Sequence, residues 1–145
     1  MIKILKTIVI LLAMNTTVVS QEITKPLQYA LNLEQLQKVF KEEAKGKEFL
    51  PIILVTGNRI SPEVKVTMFG EKVSIIDNKE TSNLIKSGHP YLELGKASYG
   101  EWSGRAEFIF FCGEIKTKIK LKRKDGKWEL KNISQKNRKN YFWNF

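Results

Sequence analysis

Apolar and polar residues alternate with two different periods along this chain, and the change between them divides it into a helical part and a strand-rich part. From Leu33 to Lys45 the spacing is helical. Leu33, Leu36, Val39 and Phe40 fall on one face, while Glu34, Lys38, Lys41, Glu42 and Lys45 fall on the other. Asn32 stands in the capping position with Gln35 three residues on, and Gly46 supplies a stop. Opposite charges four residues apart, Glu34 with Lys38 and Lys38 with Glu42, mark the polar face as solvated.

After Gly46 the period shortens. Leu50 to Val55 is a mostly apolar run of strand length that ends at Gly57-Asn58, which predicts a buried strand. Val64, Val66 and Met68 before Gly70-Glu71, with Val73 and Ile75 after it, predict a hairpin over residues 63–77. Residues 78–90 are largely polar and read as the longest loop. Residues 91–99, 105–112, 115–124 and 127–134 alternate between turn signals and predict a four-stranded antiparallel meander. Asp125-Gly126 is the strongest of those signals, because a two-residue hairpin loop needs positive backbone dihedrals.

These turns also fix register. An Asp125-Gly126 loop sets Lys122 opposite Glu129 and Leu121 opposite Leu130, and a Gly113-Glu114 loop sets Phe108 opposite Ile119 and Glu107 opposite Lys120. The same counting opposes Lys120 to Lys131 and Lys124 to Lys127, pairs that must splay into water. Ala106, Phe108, Phe110, Ile119, Leu121, Trp128 and Leu130 then share a face that should cover the helix. The expected fold class is α+β, an N-terminal helix packed on a curved antiparallel sheet ending in the meander. It forms one domain over residues 21–135, with a basic-aromatic tail or last strand at 136–145.

The first twenty residues stand apart from this pattern. Lys3 and Lys6 begin them, Ile8 to Met14 is wholly apolar, and Asn15 to Ser20 is small and polar, the layout of a secretory signal peptide. Val18 and Ser20 suit a cut before Gln21. The uncharged run from Thr7 to Gln21 is shorter than the roughly twenty apolar residues a spanning helix needs, so no transmembrane span is expected after cleavage. The expected location is periplasmic or secreted. Cleavage removes two of the 25 basic residues and none of the 15 acidic ones, which lowers the net charge from +10 to about +8. A basic exported protein favours anionic envelope components or a protein partner over nucleic acid. With Cys112 as the only cysteine, packing must hold the domain together, and a disulfide-linked homodimer would require an exposed sulfur.

The order of elements and the ending Lys-Leu-Lys-Arg-Lys-Asp-Gly-Lys-Trp-Glu-Leu at residues 120–130 resemble nuclear transport factor two-like and cystatin-like small secreted α+β domains. Such folds host enzymes, inhibitors and binding modules, so the resemblance transfers no catalytic residue. It does imply an alternative reading, a small-molecule-binding protein or enzyme that uses the interior of a cone-shaped fold. A deep pocket lined by His89 or by Glu93 and Glu101 would favour that alternative.

Candidate chemistry is sparse. His89, the sole histidine, sits between Gly88 and Pro90 and lacks the further ligands that a zinc site needs. No serine lies in a nucleophile elbow, and Gly95, Gly100 and Gly104 are spaced for bending strands rather than for cradling phosphate. No catalytic residue, cofactor or metal ligand is assigned. The informative pattern is a lysine row: Lys116, Lys118, Lys120, Lys122 and Lys124 occupy every second position, so a strand points all five to one face, with Ile109 and Phe111 beside them. The tail adds Tyr141 and Trp143 among basic residues. The candidate binding residues are therefore Lys116, Lys118, Lys120, Lys122, Phe111, Tyr141 and Trp143. The expected function is a non-enzymatic binding module that recognises an anionic or amphipathic envelope partner.

Overall fold

The computed structural model describes residues 22–138. Residues 1–20, expected as a signal peptide, and the tail residues Tyr141 and Trp143 lie outside the described residues. The architecture is α+β: helices accompany a curled, mixed, seven-stranded sheet. Residues 22–31 are helical (α1), followed by α2 (Glu34–Glu43), β1 (Ile52–Val55), β2 (Thr67–Met68), β3 (Glu71–Ile76), a 3-10 turn (Lys79–Thr81), α3 (Asn83–Lys86), β4 (Leu92–Gly100), β5 (Arg105–Cys112), β6 (Ile115–Lys124) and β7 (Lys127–Asn137). The sheet order is β2-β3-β1-β4-β5-β6-β7.

The sheet is not wholly antiparallel. β1 lies between β3 and β4 and runs parallel to both, pairing Ile52 with Val73 and Leu54 with Leu92. All four of its residues are buried. An unbroken run of β-branched and apolar side chains suits a strand covered on both faces, as parallel strands usually are. The remaining pairs, from β4 to β7, form the antiparallel meander.

Helix α1 precedes the element that the helical spacing predicts. Ile23, Leu27, Ala30 and Leu31 carry its apolar stripe, and the last three are buried, but Pro26 in its middle reads as a break. Because α1 runs up to Asn32, that residue does not cap α2. Leu33 is the cap, with extended backbone and no side-chain bond, while Asn32 Oδ1 accepts from Gln28 Nε2 at 2.9 Å. The hairpin turn is Phe69-Gly70, both at positive φ, one residue earlier than the alternation suggests. The polar stretch 78–90 is ordered by two caps: Asn78 accepts from Glu80 N, and Ser82 accepts from Ile85 N at the start of α3.

One core cluster joins Leu27, Leu31, Leu36 and Phe40 of the helices with Leu54, Phe108, Phe110, Ile119 and Leu121 of the sheet. Two polar contacts run between helices and the edge strand: Leu130 N donates to the Tyr29 hydroxyl at 3.2 Å, and Gln135 Nε2 donates to Gln35 O at 3.2 Å. The meander registers match the turn arithmetic at Phe108 with Ile119, Glu107 with Lys120, Leu121 with Leu130 and Lys122 with Glu129. Lys120, however, faces Asn132 rather than Lys131, because a bulge leaves Lys131 as the extra residue on β7. The bulge resets the alternation, so that Ile133 comes opposite the buried Ile119 and Gln135 opposite the buried Thr117.

Candidate functional site

The lysine row stands on the outer face of the meander. Along β6, Thr117, Ile119 and Leu121 are buried while Lys116, Lys118 and Lys120 between them are half-exposed and Lys122 is exposed. At about 3.4 Å per residue, the four lysines are spaced about 7 Å apart and span about 20 Å. Each has a defined neighbour. Lys116 stands between Phe111 and Lys136, Lys118 between Ile109 and Ser134, Lys120 between Glu107 and Asn132, and Lys122 between Arg105 and Glu129.

A bulge on β4 adds a cation that the sequence pattern did not place. Gly95 takes up the register shift between Leu94 and Lys96, so that after the buried Leu92 and Leu94 the alternation inverts and Lys96 turns outward opposite Ile109. Lys96 and Lys118 then bracket Glu107, with Nζ to Oε1 distances of 3.3 and 3.5 Å. Partial burial opposes ionisation of Glu107, but the hydrogen bond and charge of Lys96, with Lys118 behind it, outweigh that and hold its carboxyl below the ordinary value. Among the described residues, Lys120 and Lys122 have no ion-pair partner.

Phe111 is fixed at one end of this face. Its ring covers the bare backbone of Gly95, where a Cβ would stand 2.3 Å from the ring, and the Arg138 guanidinium lies over it at 3.8 Å. Glycine at a bulge with an aromatic ring laid over it is a recurrent way of closing a bent strand. Arg138 lies in the basic tail, whose pattern was legible, but its seat on Phe111 was not.

His89, Glu93 and Glu101 do not line one pocket. Glu93 and His89 line a solvent-open depression of about 180 Å³, but Glu101 lies beyond the far end of β4, roughly 26 Å along the strand from Glu93. His89 Nε2 is instead 2.7 Å from Pro51 O, a contact that ties its loop to β1. Phe40, Phe108, Phe110 and their neighbours belong to one buried apolar cluster. Among the described residues no cluster of metal-ligating side chains is present, and no helix is long and apolar enough to cross a membrane.

Cys112 points inward and is buried, which closes the route to a disulfide-linked dimer. Burial, with the Glu43 carboxylate adding to it, pushes its thiol up to about 12. A raised folded-state pKa gives a contribution to stability that is full below the unfolded value of 9.0 and is lost as pH rises toward about 12. The urea midpoint of the wild type is therefore expected to fall faster than that of Cys112→Ala between about pH 9 and about 11. Parallel curves would mean that the sulfur reaches water in the folded protein.

Comparison with protein-family models, with curated proteins and with solved structures returns no match. The functional reading therefore stands on geometry and charge.

Proposed function

We propose that this protein is a non-enzymatic binding module, periplasmic or secreted, that recognises an anionic or amphipathic envelope partner through the outer face of its meander. In this reading the N-terminal helices fill the concave side of the sheet, leaving the opposite face free. Helix and curled sheet support a place beside the nuclear transport factor two-like and cystatin-like domains, with the parallel β1 as a departure. The single observation that carries the function is the lysine row itself. Four lysines repeat along one strand beside the apolar side chains of Ile109 and Phe111, and among the described residues Glu107 pairs with Lys96 and Lys118. A purely solvated face needs no ordered apolar shelf next to its charges.

Replacing Lys116, Lys118 and Lys120 together by Gln is expected to weaken retention of envelope components by one to two orders of magnitude, at roughly 1 kcal/mol per cation at an anionic surface. The measurement is a pull-down from envelope extract at low and high salt, with mass spectrometry of what is retained. Wild-type retention should fall steeply with salt, since counterion release and screening both act on such contacts. Retention that is indifferent to both the substitutions and the salt would sink this reading.

A further inference from the structure

One side chain stands out among the exposed apolar residues. Trp102, in the turn between β4 and β5, has a relative exposure of 101 %, whereas the other exposed large apolar residues among those described, Phe49, Leu50 and Leu84, reach 38–45 %. The turn that holds it is closed rather than slack. Gly104 N donates to Gly100 O at 3.0 Å and Ser103 Oγ donates to the same carbonyl at 3.3 Å. On either side of Trp102 the turn is latched to β6, for Arg123 N donates to Gly104 O and Arg123 Nη2 donates to Glu101 O, both at 2.7 Å. Gly104 stands at φ +61, which glycine adopts without strain. A fixed turn thus holds an indole fully in water.

The charges around it indicate what covers it. The β4–β5 and β6–β7 turns lie at the same end of the meander, since Arg123 of β6 bonds to the first of them and β6 ends at the second. There Arg105, Lys122, Arg123, Lys124 and Lys127 stand against Glu101, Asp125 and Glu129. Lys124 and Lys127 are direct cross-strand partners on the outermost rung. Like charges in that position repel, and an anion between them relieves the repulsion.

We infer that this end of the sheet is a docking tip for an anionic lipid surface, with Trp102 seated at the headgroup level and Lys124 and Lys127 against the headgroup charge. An indole, apolar in body with one N–H donor, suits the boundary between headgroups and acyl chains. One such ring binds weakly by itself, and cations beside it supply the second signal that stable surface binding requires. A protein partner fits less well. The core of a protein interface is a cluster of apolar side chains that excludes water, whereas among the described residues of this turn Trp102 is flanked by Glu101 and Ser103. This tip does not rest on the reading of Lys116, Lys118 and Lys120, which lie further along β6.

The test is co-sedimentation of the purified protein with vesicles of equal parts phosphatidylglycerol and phosphatidylcholine, and with pure phosphatidylcholine. The wild type should bind the mixed vesicles and release them at high salt. Trp102→Ala is expected to lower the partition constant about tenfold, and to reduce quenching of tryptophan fluorescence by bromine-labelled acyl chains. Lys124→Gln with Lys127→Gln should weaken binding and flatten its salt dependence. Lys116→Gln, Lys118→Gln and Lys120→Gln together should weaken binding less than Trp102→Ala does. Unchanged urea midpoints for these exposed variants would show that lost binding is not lost folding. The inference is overturned if the wild type ignores mixed vesicles, or if Trp102→Ala binds them as well as the wild type. It is overturned equally if Trp102-dependent capture appears only with a lipid-free protein partner.

Discussion

Replacing Ile119 by lysine is expected to remove about 3–5 kcal/mol of folding stability, while replacing its neighbour Lys120 by isoleucine leaves stability almost unchanged. The two positions are adjacent on β6 but face opposite sides of the sheet. Ile119 is fully buried between Phe108 and Ile133, and Lys120 stands half-exposed between Glu107 and Asn132. A lysine at position 119 would place an ammonium group within the buried apolar cluster that holds Phe108, Phe110 and Leu121. An uncompensated buried charge costs about 3–5 kcal/mol, against a typical domain stability of about 5–15 kcal/mol. Surface replacements away from special features usually stay within about 0.5 kcal/mol. Urea titration followed by far-ultraviolet circular dichroism measures both. If Ile119→Lys kept the wild-type midpoint, the assignment of inner and outer faces would be wrong.

Phe108→Ala should be the next most damaging change, costing about 3–5 kcal/mol through lost burial and the cavity left behind. Phe108 is fully buried, lies 6.1 Å from the Phe110 ring and belongs to the cluster that includes Phe40 of α2. Few side chains are placed to move into the gap, since Phe110 and Ile119 are themselves fixed by strand pairing. Ile109→Ala, one residue on but on the outer face, removes a half-buried side chain and should cost about 1 kcal/mol. The measurement is the difference in urea midpoints at unchanged slope. Equal losses for the two variants would mean that β5 does not separate a core face from an outer one.

Much of this architecture was legible because its determinants are local. A two-residue turn such as Asp125-Gly126 or Gly113-Glu114 sets the pairing by counting, and alternation then assigns each side chain to a face. That is why Phe108 with Ile119 and Lys122 with Glu129 follow from the sequence alone. Local rules failed where the chain departs from strict alternation. The spacing Leu130-Lys131-Asn132-Ile133 carries a three-residue interval that marks a bulge, and straight counting runs past it. Gly95 hides a second bulge, and with it the outward turn of Lys96 that gives Glu107 one of its two lysines. In α1, Pro26 obscured a helical stripe that the core nonetheless uses.

The candidate surfaces divide along the same line. The lysine row was visible because period two is a property of the strand itself. Trp102 carries no comparable signal, because exposure is not a sequence property. Nothing in Glu101-Trp102-Ser103-Gly104 distinguishes a buried indole from one held in water, and only the latch from Arg123 to both ends of the turn decides it.

The sequence by itself determined which segments are strands, how the meander hairpins register and which side of β6 carries charge, since turn chemistry and side-chain alternation act within a few residues. Tertiary structure alone decided that β1 lies parallel between β3 and β4, that Asn32 does not cap α2, and that Trp102 faces water. Those outcomes depend on which distant segments cover one another, and packing between distant segments leaves no periodic trace in the chain.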